Sequence, residues 1–339
     1  MAVRLREANL VHDEAALIGL TQTYLGATDR HRFRWLYRDG PFGPARVWLA
    51  FDGTAQSPIG MAALFPRRGY IGGEQVLGCV LGDFCISEHY RSLGPAIQLQ
   101  RACLEMIKSG EFAFSYDFPS ASMLGVYRYM GVNPTDDCVR LVKLLKAEDQ
   151  VREMVTIPVI AKAVTAVADF ALKFAEQKPL KRDDLEYQLD SGPCSEEYRQ
   201  LAQRIGSSLG NCVLRSPEYL DWRYRRHPFR QYEFLTCYRG GKLQAYCVFT
   251  FEDERAQIVD LFGSDEDRVL TGLLRCVVRL ARNRGKSAIS IALLASDTRL
   301  RVFRKLGFHS RESAPVVGYG AKVGDNGSKL VLMHGDRES

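Results

Sequence analysis

The chain has 339 residues, 46% hydrophobic and 25% charged, with 46 lysines and arginines against 40 aspartates and glutamates. That length suits two domains of ordinary globular composition, and a net charge of +6 spread along the chain lacks the dense basic footprint of nucleic-acid binding while suiting a small anionic ligand. Nine cysteines without a C-x-x-C pair speak against a disulfide framework or a zinc cluster, so no metal site is expected and a reducing cytoplasm is the natural compartment.

In chain order, a helix is expected near Asp13–Thr23, then strands at Val47–Phe51 and Ile59–Phe65 around the turn Asp52-Gly53, and a long strand Val76–Ile86. A helix Ala96–Lys108 ends near Gly110; a strand Phe112–Tyr116 and a helix ending at Met130 follow. The basic pieces Arg30–Arg38 and Arg223–Arg230 alternate with aromatics and read as solvated arginines around a buried Trp and Tyr. Val155–Phe174 is interrupted by Pro158, Lys162 and Asp169, so no transmembrane segment is expected, and Glu7 with no apolar core behind it speaks against a secretion signal. Ile160, Val164, Val167, Ala171 and Phe174 share one helical face, which predicts a connecting helix, with Lys178–Asp184 as a polar hinge. Leu330–Met333 reads as a last strand in a polar tail.

The chain repeats itself. Trp35-Leu-Tyr37-Arg38 through Pro41-Phe42 and Trp222-Arg-Tyr224-Arg225 through Pro228-Phe229 share W-x-Y-R-x-x-P-F at an offset of 187. Asp83 and Arg91 find partners at Asp260 and Arg268, offset by 177, and Gly131 finds Gly307. One fold therefore occurs twice, with second-copy strands at Tyr232–Tyr238, Leu243–Phe251, Gln257–Phe262 and Ser287–Leu293 and a helix Asp267–Arg284. The domains divide as 1–147, a helical linker 148–185, and 186–339.

Leu81–Ala96 organises the rest: an apolar strand, a polar turn, and a helix opened by Gly94-Pro95-Ala96. Arg91, Gly94 and Ala96 fall at R-x-x-G-x-A, a loop able to point backbone N–H groups at a pyrophosphate where the helix dipole favours an anion. These residues resemble the Q/R-x-x-G-x-G/A loop of the GCN5-related N-acetyltransferases (GNAT). Leu81-Gly82-Asp83-Phe84 resembles that family's fourth strand, Tyr90-Arg91 its entry into the loop, and Tyr127-Arg-Tyr-Met-Gly131-Val132 its late helix ending Y-x-x-x-G-F. The resemblance implies an α/β fold of two tandem GNAT-like domains, each a mixed central sheet flanked by helices and joined by a helical linker. It implies acetyl-CoA or another acyl-CoA as co-substrate. Its holding residues would be Cys85, Ile86 and Ser87, whose backbone would pair with pantetheine amides as an added strand does, and Arg91, Ser92, Leu93, Gly94 and Ala96 at the phosphates.

Acetylating an amine of pKa roughly 10.4 needs a base for the amine and a donor for the departing thiolate. By its place in Y-x-x-x-G, Tyr127 resembles the family's general acid. The family's strand glutamate falls at Gly82, so the expected base is missing. Asp83 is the nearest carboxylate, turned to the opposite face unless the strand bulges, and Glu88, His89 and Asp117 follow. Pro95 removes one N–H from the loop while its fixed φ suits a first helical turn. The second copy has Thr271 and Leu273 in the loop and Phe303 in place of Tyr127, and reads as degenerate. The acceptor expected is a small amine, amino sugar or amino-acid derivative; Arg67 and Arg68 hint at an anionic one unless they are ordinary surface. A non-catalytic acyl-CoA sensor, or a tandem relative using charged tRNA, stands as the alternative, the latter disfavoured by the R-x-x-G-x-A loop. The oligomeric state is left open.

Overall fold

The computed structural model describes residues 3–26, 29–53, 55–90, 93–146, 184–320, 323 and 330–338. The expected linker helix, Arg91 and Ser92 lie outside the described residues.

The first copy runs β1 (Val3–Glu7), α1 (Glu14–Leu25), a short α2 (Arg30–Phe33) continuing into a π-helical turn Arg34–Arg38, β2 (Arg46–Asp52), β3 (Gly60–Ile71), β4 (Glu74–Ile86), α3 (Leu93–Lys108), β5 (Ser115–Asp117), α4 (Ala121–Tyr129) and β6 (Asp136–Leu144). The second repeats the order: β7 (Leu185–Asp190), α5 (Glu196–Leu209), β8 (Asn211–Val213), α6 (Pro217–Leu220) with its own π-helical turn Asp221–Arg225, β9 (Glu233–Arg239), β10 (Lys242–Glu252), β11 (Arg255–Gly263), α7 (Asp267–Asn283), β12 (Ala288–Leu294), α8 (Leu300–Lys305) and β13 (His309–Tyr319), before β14 (Leu330–Val331). Local chemistry explains the ends. Ser120 and Ser216 accept from Met123 N and Tyr219 N to cap α4 and α6. Gly131 and Gly307, at φ 75° and 81°, take the left-handed turn after α4 and α8, where a side chain would be strained. α7 buries Val269, Leu270, Leu273, Leu274, Val277 and Val278 on one stripe.

All the described strands join one mixed sheet whose main path is β1-β2-β3-β4-β5-β13-β6-β12-β11-β10-β9-β7, with β8 on the end of β3 and β14 on β8. β5 lies parallel to β4 and β12 parallel to β11, as two copies of one fold require. Their last strands, however, cross over. β6 of the first copy lies antiparallel to β12, β13 of the second lies antiparallel to β5, and the two meet in the middle. This exchange leaves neither copy with a free edge at the centre and makes one sheet of both. The sequence repeat predicts two sheets side by side and says nothing of the exchange.

The W-x-Y-R segments meet at the seam. The Trp35 and Trp222 rings stack with centroids 4.9 Å apart, and both indoles are buried. All nine cysteines are free and buried, several of them within the core clusters. Among the described residues no helix is long and apolar enough to cross a membrane.

Candidate active site

β4 and β5 pair only through Cys79–Ser115 and Val80–Tyr116 and then part. Beyond that point β4 keeps its hydrogen bonds to β3, while its other edge, from Leu81 to Ile86, faces an open wedge. Strand edges of this kind offer unpaired N–H and C=O groups to a ligand. α3 begins at Leu93, earlier than the sequence pattern predicts, with Gly94 and Pro95 inside its first turn at the wedge mouth. Among the described residues a Cβ on Gly94 would meet nothing within 4 Å, so none of them crowds the backbone there.

Two adjoining cavities fill the wedge. The outer, about 510 Å³, is lined mostly by apolar groups, among them Tyr24, Cys85, Ile86, Ala96 and Val126. The inner, about 420 Å³, shares Leu25, Phe84, Ser120 and Met123 with it and is lined by Arg32, Asp83, Gln100, Asp117 and Glu338. Cys85, Ile86 and Ala96 thus stand together on the outer cavity. Ser87 has already given its N–H to Ile59 O at 2.7 Å. Glu88 and His89 are exposed on a 3-10 turn.

Asp83 sits at a bulge: Ala63 pairs with Gly82 and Met61 with Cys85, so Asp83 and Phe84 oppose Ala62 alone. Its φ of 43° is unusual for a residue with a side chain. Arg32 holds it there with two hydrogen bonds of 2.7 and 2.9 Å, and Tyr37 Oη donates a third at 2.6 Å.

Tyr127 is 1% exposed and donates its hydroxyl to Asp117 Oδ2 at 2.8 Å. Asp117 faces the inner cavity, with the phenol behind it. Burial pushes the Asp117 carboxyl up to about 7, Tyr127's hydrogen bond opposing and the Glu338 charge adding, and burial pushes the Tyr127 phenol well above its ordinary value.

Glu338 is the residue that sequence reasoning missed. A Cβ placed on Gly82 would lie 2.4 Å from Glu338 Cγ and 2.9 Å from its Cδ, so the space that a side chain at position 82 would need is occupied by Glu338. The tail reaches it under tight control from both copies. Arg223 donates to Gly335 O at 2.8 Å and Arg337 O at 3.1 Å, Arg215 to Asp336 Oδ2 at 2.7 Å, and Tyr116 Oη to Asp336 O at 2.9 Å. The only hint in the sequence is the glycine itself.

In the second copy β11 and β12 likewise part after Ile258–Ile291, and the tail fills the gap: Met333 bridges to Leu293, and the Leu261 N–H donates to Met333 Sδ at 3.2 Å. Asp260, the counterpart of Asp83, is wholly buried against Arg215, which also pairs with Asp336 of the tail. Phe303 packs edge-on against Phe308 with centroids 5.3 Å apart. Arg67 does not face an acceptor: it is buried with its guanidinium 5.1 Å from the Trp222 ring centre, while exposed Arg68 lines a separate cavity with Gln75 and Arg199.

A mixed sheet thus splays beside a helix in both copies, open in the first and filled by the tail in the second. No family model matches the chain, and none of the curated proteins matches its sequence. Solved structures do: a probable N-acyltransferase of Enterococcus faecalis at 12% identity and TM-score 0.68, covering 95% of this chain and 74% of that one; a GCN5-related N-acetyltransferase of Anabaena variabilis at 12% and 0.65, covering 94% and 72%; and a Saccharomyces cerevisiae N-myristoyltransferase with bound myristoyl-CoA at 12% and 0.59, covering 95% and 80%. The chain has the tandem fold of the GCN5-related N-acetyltransferases.

Proposed function

We propose that the protein is an acyl-CoA-dependent N-acyltransferase acting on a small amine in the wedge of the first copy. The observation that carries this reading is the free edge of β4, which opens beside the start of α3 and leads inward to buried carboxylates. Acyl-CoA would supply a thioester as acyl donor. Backbone groups of Cys85 and Ile86 would pair with its amides, and Arg91, Ser92, Leu93, Gly94 and Ala96 would surround its phosphates. Pro95 withholds one N–H of that first turn.

Tyr127 would protonate the departing sulfur, its hydroxyl held by Asp117. Asp83 has both oxygens committed to Arg32 and Tyr37, which favours holding the bulge over taking a proton. With Arg32 offset by Asp83, Asp117 and Glu338 leave the inner cavity acidic, which suits a cationic amine better than an anionic acceptor.

Calorimetry with acetyl-CoA and with myristoyl-CoA, followed by thiol release in the presence of lysine, glucosamine and spermidine, tests the reading and ranks acyl length. One-site binding with thiol release is expected. Binding without release of thiol to any amine would leave an acyl-CoA sensor.

A further inference from the structure

We propose that Gln100 of α3 is the positioning residue of the proton donor: its side-chain amide, unpaired beside the Tyr127 hydroxyl, closes on the phenolate oxygen as Tyr127 gives its proton to sulfur. The inference rests on the acyltransferase reading and on Tyr127 as the donor. Three observations carry it. Gln100 is 1% exposed on a helix face otherwise built of buried Ala96, Ile97, Cys103 and Leu104, and its Nε2 completes no hydrogen bond. It lines the inner cavity with Cys103 and Asp117, and its amide lies against the same phenol that donates to Asp117 Oδ2 at 2.8 Å. The second copy lacks the amide, the carboxylate and the phenol together.

That third observation comes from matching the copies. Counting each helix from its first residue puts Leu274 of α7 at the station of Gln100 in α3. Cys79 pairs with Ser115, and its counterpart at the offset of 177, Ala256, pairs with Ile289, so Asp117 corresponds to Ile291. Tyr127 corresponds to Phe303, and Leu274, Ile291 and Phe303 are all buried. The three polar groups are thus replaced as a set in the copy whose gap is filled. Parts of one device change in this way, while independent core residues need not.

An unpaired buried N–H lowers stability, so its retention here calls for a use. Burial raises the Tyr127 phenol most, and Asp117 and Cys103 add to it, whereas Gln100 lowers it. The amide therefore favours the ionised phenol, a form that exists only once the proton has left. An interaction that is stronger after proton transfer than before it speeds that step. The balance is simple. The amine lone pair forms the C–N bond as the C–S pair leaves on sulfur, which takes the Tyr127 proton. The phenolate keeps the O–H pair and accepts the Gln100 N–H. Starting as an ammonium, the nitrogen loses two protons; one restores the phenol and one passes to solvent, so amide, free thiol and one proton result.

The test uses the full chain with acetyl-CoA and whichever of lysine, glucosamine and spermidine it acylates. Gln100→Leu is expected to lower turnover about 10–10²-fold, the worth of one hydrogen bond to a charged group, with acetyl-CoA affinity within about twofold of the parent. Stability should move the other way: the denaturant midpoint of Gln100→Leu should equal or exceed the parent's, because a buried donor without a partner is removed. Gln100→Met, which keeps the unbranched reach of glutamine, repeats the comparison where leucine packs badly.

The decisive readout is a cycle with Tyr127→Phe. Without the phenol the amide has no phenolate to serve, so adding Gln100→Leu to Tyr127→Phe should change turnover by no more than about twofold. A full 10–10²-fold loss in that background would overturn action through Tyr127. Parent-like turnover in Gln100→Leu and Gln100→Met would overturn the proposal outright, and so would a fall in the denaturant midpoint of both variants, which would make Gln100 a packing residue. Two results would fall instead on the readings beneath it: a Tyr127→Phe as fast as the parent would remove the donor, and failure of the parent to acylate any amine would remove the acyltransferase.

Discussion

Trp35 and Trp222 each donate the indole N–H to the other's backbone carbonyl, at 2.9 and 3.0 Å, across a sequence separation of 187 residues. The exchange is reciprocal, the rings stack, and the pair lies where the two copies meet. The indoles therefore serve as their own partners, satisfying two buried donors without water. Arg67 and Arg223 close the stack, at 5.1 Å from the Trp222 ring and 5.4 Å from the Trp35 ring.

Replacing either tryptophan with alanine should cost about 3–5 kcal/mol, from lost burial and an unpaired carbonyl opposite. The double variant should cost less than the sum, with a coupling of about 0.5–1.5 kcal/mol, since either deletion alone already removes the ring stack that the two indoles share. Denaturant unfolding of the four proteins measures it; additivity would mean that the pair does not couple the copies.

Much of this architecture was legible beforehand. The strands β2, β4 and β9 to β12 and the described main helices fall within a few residues of where apolar runs and Gly turns put them, because each is a local pattern, whereas β3 runs on past Phe65 to Ile71. The strand exchange was not, because β6 and β13 present similar antiparallel edges and nothing local in Asp136–Leu144 or His309–Tyr319 states which neighbour each will take. Asp83's engagement with Arg32 spans 51 positions, and Glu338's occupation of the Gly82 space spans most of the chain. Such contacts are set by tertiary packing. The motif Arg91–Ala96 named the region of the wedge mouth, yet not the residue that fills its inner end.

Tyr127→Phe should lower turnover by about 10²-fold while leaving acetyl-CoA affinity nearly unchanged, because the lost hydroxyl bonds Asp117 of the inner cavity and is no part of the outer cavity's lining. Steady-state kinetics beside calorimetry separates the two quantities. Unchanged turnover would assign the donor elsewhere, with Asp117 next in line.

Asp117 carries a stability signature. Its carboxyl is raised from 3.8 to about 7 in the folded chain, so the folded state holds its proton more tightly than the unfolded one. Its contribution is therefore fully present below pH 3.8 and is lost as pH rises to about 7. Asp117→Asn should remove a pH-dependent loss of about 2–4 kcal/mol over that window, seen as a flatter unfolding free energy than the parent's. Parallel curves for the two proteins would contradict the raised value.

Arg223→Met should release the tail. Losing the bonds to the carbonyls of Gly335 and Arg337 is expected to cost about 1.5–3 kcal/mol. It should also lower turnover while sparing acyl-CoA affinity, since the outer cavity is built from β4, α1, α3 and α4. Hydrogen exchange at residues 333–338 measures the release; protection equal to the parent's would place the strap's strength in Arg215 and Tyr116.

The central claim, that acyl-CoA lodges between β4 and α3 of the first copy, is tested most directly by calorimetry with acetyl-CoA on the parent and on Gly94→Glu. Open space surrounds the Gly94 position and an acidic residue suits a helix N-terminus, so the variant should fold, while its carboxylate would repel a phosphate. One-site binding by the parent, lost or weakened at least about a hundredfold in the variant, is the predicted result. Equal binding by both proteins would put the ligand elsewhere and contradict the account.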